Sequence, residues 1–240
     1  MKGLEKFEQD GFAIVDEVLT GEEVDRLITA LGAVRSGSRL ERAGEVYASR
    51  NLLADLPEVR RIAEGEALLG LARAVLGSGA FPVRGLLFDK TPTANWGVPW
   101  HQDLTIAIKR RVSAPGFGPW TVKAGVPHVR PPAEVLERMV TIRLHLDEAG
   151  PENGPLLVVP GSHQQGRLDV PSSQEWLDKA GVQTCLVPRG GVLMMRPLLL
   201  HASSPSNGPA HRRVIHLEYA TGTLPFGVEW HEQPPTVNLD

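Results

Sequence analysis

The chain has 240 residues, of which 42% are hydrophobic and 22% are charged, and its formal net charge is −3. This balance excludes a strongly basic nucleic-acid-binding protein and gives no support for a role at a membrane surface. Cys185 is the single cysteine, which excludes an intrachain disulfide and a metal site built from several cysteines.

The length and the amino-terminal segment favour one cytoplasmic domain over residues 1–240. The segment MKGLEKFEQDGF is charged and lacks the apolar core of a signal peptide. No window approaches the ~18 consecutive apolar residues that a membrane span requires. We therefore expect a small-molecule substrate and neither a nucleic acid nor a membrane as partner, while the oligomeric state stays unknown.

Residues 1–80 are predicted to form a mainly helical support layer. In LTGEEVDRLITAL the apolar residues recur at helical spacing, and Thr20 with Glu23 matches a capping box. A second helical region, LPEVRRIAEGEALLGLARAVLG, is expected to end at Gly77.

From residue 82 to residue 222 the pattern becomes that of short strands. Segments such as VRGLLFDK, MVTIRLHL and RRVIHLEYA are rich in β-formers and are separated by Pro, Gly and Asn. Two of them alternate strictly, with Arg143 and His145 on one polar face and Arg212, His216 and Glu218 on another. A polar face of this kind is either solvated or lines a cavity. Helices followed by many strands predict a mainly β fold with α, a cupin-like double-stranded β-helix or jelly roll supported by N-terminal helices.

The stretch from residue 109 to residue 138 shows little periodicity and is predicted to be a lid or insert loop. No acidic residue occurs from Leu104 to Ala133, whereas the same region contains several basic residues. These are Lys109, Arg110, Arg111, Lys123 and Arg130. The charges either face solvent or meet an anionic substrate.

The stretch GVPWHQDLTIAI places His101 and Asp103 two residues apart, so that in a strand both side chains point to one face and Gln102 to the other. His201 follows the apolar run GGVLMMRPLLL and precedes a turn-rich segment. Two histidines and one carboxylate that leave metal positions open are typical of non-haem Fe(II) oxygenases.

Arg212 follows on the next predicted strand, on the polar face that it shares with His216. An arginine that points into a closed barrel needs an anion for its guanidinium group. A dicarboxylate that also chelates the metal, 2-oxoglutarate, meets this requirement. The alternative is a surface salt bridge.

As a set, these motifs resemble the phytanoyl-CoA dioxygenase family of Fe(II)/2-oxoglutarate oxygenases over nearly the whole chain. FEQDGFAIVDEVLTGEEVDRL resembles the family's opening strand and helix, and WHQD carries the His-x-Asp pair. ENGPLLVVPGSH resembles the turn and hairpin between the ligands. GGVLMMRPLLLHASSPSNGPAHRRVIHLEYA matches the distal histidine, the serine after it and the arginine.

The resemblance implies that the catalytic centre is Fe(II) bound by His101, Asp103 and His201. It also implies that Arg212 and Ser203 hold the distal carboxylate of 2-oxoglutarate and that Leu86 packs on this co-substrate. Arg143 stands where relatives often carry Trp or Ser, so it binds either 2-oxoglutarate or the substrate. Since Asp103 is present, hydroxylation is expected rather than halogenation, which relatives perform with a small residue there.

We therefore expect a dioxygenase that uses Fe(II), 2-oxoglutarate and O2 to hydroxylate a C–H bond of a small organic substrate, with release of succinate and CO2. The basic stretch favours an anionic substrate. Two alternatives stay open at this point, a cupin-like zinc hydrolase or isomerase and a non-catalytic protein that binds a small anion on the same fold.

Overall fold

Two packed antiparallel sheets, covered on one side by helices, make up the fold. The computed structural model describes residues 2–34, 38–42, 45–207 and 211–232. The helices are Lys2–Asp10 (α1), Gly21–Leu31 (α2), Leu52–Asp55 (α3), Pro57–Glu64 (α4), Glu66–Leu76 (α5), Ala133–Glu137 (α6) and Val170–Ala180 (α7). The strands are Phe12–Val15 (β1), Arg39–Arg42 (β2), Glu45–Ser49 (β3), Ala80–Lys90 (β4), Val98–His101 (β5), Ile106–Ala107 (β6), Trp120–Lys123 (β7), Val126–Val129 (β8), Met139–His145 (β9), Leu156–Val158 (β10), Gln183–Cys185 (β11), Val192–Met195 (β12), His201–Ser203 (β13) and Arg212–Thr221 (β14).

The strand order is that of the double-stranded β-helix predicted from the sequence. The large sheet has the order β1-β12-β9-β14-β4-β3-β2, and the facing sheet has the order β11-β10-β13-β5. Apart from the hairpin of β10 and β11, consecutive strands of the barrel alternate between the two sheets. This arrangement brings segments that are far apart in sequence to the two sides of one cavity.

The large sheet has one apolar face and one polar face, as the alternation in β9 and β14 predicts. Ile142, Leu144, Ile215 and Leu217 belong to a buried cluster that includes apolar side chains of α2, α4 and α5. Tyr219 lies in the same cluster, and its hydroxyl donates a hydrogen bond of 2.9 Å to the carbonyl of Ala63 near the end of α4. The helices thus cover one face of the sheet and leave the polar face to the cavity.

The first 80 residues contain more strand than the sequence suggests. β1, which matches the opening strand that the family resemblance implies, pairs with β12, and the further strands β2 and β3 extend the large sheet beyond β4. The second helical region, residues 56–77, is divided into two helices, α4 and α5, because Gly65 between them is extended, with φ −74° and ψ 152°. The capping box of Thr20 and Glu23 at the start of α2 is present as predicted. None of the described helices has the length and apolar character of a membrane span.

The stretch from residue 109 to residue 138 is an ordered insert rather than an irregular loop. Its strands β7 and β8 form a three-stranded sheet with β6, and α6 follows. Lys109 and Arg110 of the insert pair with Glu229, and Arg111 lies over the ring of Trp120. Lys123, by contrast, is half-buried and approaches the barrel.

Candidate metal centre

The pairing of β5 with β13 brings the first predicted histidine against the second. His101 and His201 are direct partners across this antiparallel ladder. Asp103 follows β5, and its backbone N–H donates a hydrogen bond of 2.9 Å to the carbonyl of Pro197. Each of the three residues offers one ligand atom, and these atoms lie within 4.8 Å of one another. The three side chains therefore converge on one point.

Backbone carbonyls fix the ring orientation of both histidines. The Nδ1 of His101 lies 2.8 Å from the carbonyl of Pro99, and the Nδ1 of His201 lies 2.8 Å from the carbonyl of Leu199. A ring nitrogen that faces a carbonyl carries the proton, so Nε2 is left with a free lone pair. The Nε2 atoms lie 4.0 Å and 3.8 Å from the carboxylate oxygens of Asp103. Both imidazoles thus present a metal-binding nitrogen toward the carboxylate.

The local electrostatics set the protonation states of His201 and Asp103. Burial lowers the pKa of His201 to about 4, so its imidazole is neutral at neutral pH. Burial alone would raise the pKa of Asp103, but the neighbouring imidazoles, that of His201 first, and the guanidinium of Arg143 lower it to about 2. A neutral imidazole beside an ionised carboxylate is the form that binds a divalent cation.

Gln102, between His101 and Asp103, faces away from the centre. Its amide nitrogen donates hydrogen bonds of 2.8 Å and 2.6 Å to the carbonyls of Gly166 and Leu198. Its amide oxygen accepts a hydrogen bond of 2.9 Å from the N–H of Leu168. These three bonds hold the segment that carries the metal ligands in place.

All the site residues predicted from the sequence line one cavity of about 200 Å³ between the two sheets. These residues are Leu86, His101, Asp103, Arg143, His201, Ser203 and Arg212. The large sheet contributes the arginines and Leu86, the facing sheet contributes His101, His201 and Ser203, and Asp103 follows β5. Glu218, which the sequence places on the polar face of β14, also lines the cavity. Sequence reasoning did not identify four further residues of the wall: Arg84, Phe88, Lys90 and Trp96.

A buried pair of cations lies at one end of the cavity. Arg212 is 2% exposed, and its direct partner across the β4–β14 ladder, Lys90, is 0% exposed. The ammonium group of Lys90 donates to the hydroxyl of Ser203 at 3.0 Å and to the carbonyl of Ser204 at 2.5 Å. Gly154 closes over this group, since a Cβ there would lie only 2.7 Å from the Ser204 carbonyl. The contacts hold Lys90 next to both predicted co-substrate ligands.

Neither member of this pair has a carboxylate partner among the described residues. Burial, followed by repulsion from Arg143, lowers the pKa of Arg212 to about 9. Burial, with Arg212 and Arg143 close by, lowers the pKa of Lys90 to about 7. The Nε and Nη1 atoms of Arg212 also lack any hydrogen-bond partner there. Buried donors are normally satisfied, so this end of the cavity is built for an anion.

Arg143 adds a third buried cation between this pair and the metal ligands. It is 6% exposed, and its Nη1 donates a hydrogen bond of 3.0 Å to the Nδ1 of His216. Its guanidinium carbon lies 5.8 Å from the ring centroid of Phe88, and its Nε has no partner among the described residues. Burial lowers the pKa of Arg143, and the charge of Asp103 partly opposes this effect.

A family model described as Phytanoyl-CoA dioxygenase (PhyH) matches residues 7–214 of the chain. This range contains the three candidate metal ligands and both co-substrate residues that the sequence predicts, Ser203 and Arg212. The match therefore extends over the sheets that carry the site as well as over most of the helical layer.

The chain is also similar to individual proteins. An ectoine dioxygenase from Halomonas elongata is 26% identical over 87% of this chain and 66% of its own length, so the chain spans about two thirds of that relative. The L-proline trans-4-hydroxylase of Streptomyces griseoviridis is 23% identical, with 89% of this chain and 84% of that enzyme covered. The solved structure of EctD from S. alaskensis with 2-oxoglutarate and 5-hydroxyectoine matches with a TM-score of 0.73 at 21% identity, covering 92% of this chain and 75% of that one. This last match confirms the predicted fold class.

Replacing His101, Asp103 or His201 with Ala should weaken binding of Co(II), a spectroscopic substitute for iron, by more than about 100-fold. Loss of a residue that only supports a metal ligand typically lowers the metal affinity 10–100-fold, and loss of a direct ligand lowers it further. Titration of the visible absorption of Co(II) measures the affinity. His231→Ala is the matched control, because this imidazole lies outside the cavity and 3.9 Å from Glu232. Undiminished affinity in Asp103→Ala would contradict the assignment.

Proposed function

The chain belongs to the phytanoyl-CoA dioxygenase family, and on this premise we propose that it hydroxylates a C–H bond of a small organic molecule. It uses Fe(II), 2-oxoglutarate and O2, and it releases succinate and CO2. The observation that carries the proposal is the convergence of His101, Asp103 and His201 at a cavity that also buries Arg212.

A ferrous ion fits this donor set. His101 and His201 each turn Nε2 toward the centre, and Asp103 presents a carboxylate whose Oδ2 is shielded from solvent and has no hydrogen-bond partner among the described residues. Two imidazoles and one carboxylate leave metal positions for further ligands. When bound, the iron together with 2-oxoglutarate and O2 supplies the oxidising chemistry, and the chain supplies position and charge.

The end of the cavity that holds Lys90 and Arg212 fits the distal carboxylate of a dicarboxylic co-substrate. Arg212 would bind the distal carboxylate through its unpartnered nitrogens, and the Ser203 hydroxyl and the Lys90 ammonium would donate to the same group. Leu86 provides an apolar surface for the carbon chain. Arg143 faces the same space and would bind an oxygen of the co-substrate or of the substrate.

The apolar part of the wall excludes water from the reacting centre. Phe88, Val98 and Leu156 line the cavity beside the metal ligands. A dry, preorganised wall strengthens electrostatic contacts and protects reactive species from side reactions. The relatives named above act on different small molecules, ectoine and L-proline, so membership of the family does not by itself define the substrate.

Adding Fe(II) and 2-oxoglutarate to the protein without oxygen should produce a weak visible charge-transfer band, because the co-substrate chelates the iron. Admission of O2 with an accepted substrate should then give succinate in proportion to product. Anaerobic absorption spectroscopy and succinate quantification measure the two steps.

The same experiment separates the alternatives. A zinc hydrolase or isomerase would give no band and would work without O2. A non-catalytic anion-binding protein would bind 2-oxoglutarate and never form succinate with any substrate tested. Either outcome would contradict the proposal.

Arg212→Ala should raise the 2-oxoglutarate concentration needed for half-maximal band formation by about 100-fold or more, because the distal carboxylate loses a buried ionic partner. Arg213→Ala is the matched control. The guanidinium of Arg213 forms two hydrogen bonds of 2.8 Å with Asp147, away from the cavity. Equal co-substrate requirements in the two variants would rule out the role of Arg212.

The affinity for 2-oxoglutarate should fall as the pH rises above about 7. The pKa of Lys90 is lowered to about 7 by burial and by Arg212, so its positive charge is present below that pH and is lost above it. A bound carboxylate favours the charged form, so binding is stronger at the lower pH. Titration of the band at a series of pH values measures the trend. Lys90→Met should bind more weakly and lose this part of the pH dependence, and an unchanged profile in that variant would contradict the role.

A further inference from the structure

The cavity has a second charged end, remote from Arg212. The residues of β4 and β14 that face the cavity form successive cross-strand rows, in which Lys90 is opposite Arg212, Leu86 is opposite His216 and Arg84 is opposite Glu218. The first and the last row are six positions apart along β4, which corresponds to about 20 Å of extended strand. Arg84 and Glu218 therefore lie far from the subsite assigned to the co-substrate carboxylate.

A salt bridge holds Arg84 in place at this second end. Its Nη1 donates to the carboxylate of Glu218 at 2.9 Å and to the carbonyl of Thr105 at 3.3 Å. Both partners of the salt bridge are largely buried, with 11% and 6% of their side chains exposed. Thr105 is two residues after Asp103. The Cα atoms of Thr105 and Asp103 are at most about 7 Å apart. The contact with Thr105 therefore places the Arg84 guanidinium near the metal centre.

Two further cations approach this salt bridge from other elements. Lys123, on β7 of the insert, lies with its ammonium group 3.5 Å from the Thr105 hydroxyl. Arg50, which follows β3, is half-buried and lines a small neighbouring cavity together with Arg84, and its guanidinium has no ion pair among the described residues. Burial lowers the pKa of Lys123, and the charges of Arg84 and Arg50 lower it further. The three cations are thus close enough to repel one another.

The charges at this end do not balance. Arg50, Arg84 and Lys123 carry three positive charges, and Glu218 supplies one negative charge. Of the other titratable groups nearby, Asp103 belongs to the candidate metal centre and Glu232 pairs with Arg60. His128 is neutral because burial and Arg84 lower its pKa to about 4. The other end offers no compensation, since the three negative charges of Asp103 and 2-oxoglutarate are already exceeded by the four positive charges of Fe(II), Arg143 and Arg212. An anion is the ligand that such a surplus attracts.

We propose that Arg84, Lys123 and Arg50 bind an anionic group, a carboxylate or a phosphate, of the primary substrate. The assignment rests on the proposed function and specifies its substrate class. Because Arg84 contacts Thr105, the oxidised C–H bond lies within a few bonds of that anionic group. Glu218 is the positioning partner that orients Arg84 and limits the repulsion among the three cations.

Inorganic sulfate is the probe that tests this subsite, because it is a dianion and a weak metal ligand. Calorimetric titration of sulfate into protein loaded with Mn(II) and 2-oxoglutarate measures its affinity. Lys123→Met should weaken sulfate binding about tenfold, which corresponds to the loss of one charged hydrogen bond. Lys109→Met is the matched control on the same insert, because Lys109 pairs with Glu229 outside the cavity, and it should bind sulfate like the wild type.

A double variant tests Arg84 without leaving a buried charge unpaired, and a single variant of Glu218 is compared with it. The double variant Arg84→Gln with Glu218→Gln should also weaken sulfate binding about tenfold, whereas Glu218→Gln alone should strengthen it. Thermal unfolding verifies that each variant is folded. Equal sulfate affinity in the wild type, Lys123→Met and the double variant would overturn the subsite, as would the absence of sulfate binding in the wild type.

The two proposals fail in different ways. If the metal-loaded wild type does not bind 2-oxoglutarate, the proposed function fails, and titration of sulfate into the same sample still tests the subsite. In a functional enzyme, small carboxylic acids or phosphate esters should stimulate succinate release and the corresponding amides should not. Stimulation by an acid and its amide to the same extent would also overturn the anionic subsite.

Discussion

The burial of positive charge on one face of the large sheet is the constraint on which the rest of the structure depends. Arg212, Arg143 and Lys90 are at most 6% exposed and form no ion pair among the described residues. Removing an isolated cation from water costs several kcal/mol even after the protein relaxes. The fold tolerates this cost because the opposite face of the same strands buries a continuous apolar cluster against the helices. The free energy gained by burying the apolar face thus offsets the cost of burying the cations and holds them in a preorganised arrangement.

Strand alternation decides which charges are available for a ligand. Arg212 and Arg213 are neighbours in the chain, yet only Arg212 faces the cavity. Arg213 faces the other way and is satisfied by two hydrogen bonds to Asp147. The same alternation places His216 and Glu218 in the cavity and Leu217 in the core. A shift of one residue in the register of β14 would exchange these roles. The pairing of β14 with β4 and β9 therefore determines which side chains face the cavity, in addition to stabilising the sheet.

The sequence predicts those parts of the site that follow a local rule. The spacing of His101 and Asp103 and the alternation of β9 and β14 depend only on neighbours in the chain, so they could be recognised directly. Lys90 could not, because it follows Asp89 at the end of an apolar strand and resembles an exposed strand terminus. Its burial arises from Ser203, Ser204 and Gly154, which come from distant segments.

The same limit applies to the fold. The apolar spacing from residue 56 to residue 77 continues through Gly65, so the break between α4 and α5 has little signal beyond one glycine. The short strands β2 and β3 are stabilised by pairing with each other and with the edge of β4 rather than by a pattern of their own. Tertiary context decides such segments, and propensity does not.

The two ends of the cavity differ in how they are built, and this difference bears on specificity. His101, His201 and the cations proposed to bind the co-substrate lie on paired strands of the two sheets, where the register fixes each side chain, and Asp103 follows β5 directly. Lys123 comes instead from the insert between Asp103 and β9, whose small sheet packs outside the barrel. Changing the insert alters the charge near Arg84 without altering the ladders that hold His101, His201 or Arg212. Proteins that share the same metal centre can therefore act on different molecules when their substrate contacts lie on inserts outside the barrel. The similar proteins named above, which act on ectoine and on L-proline, are consistent with this division.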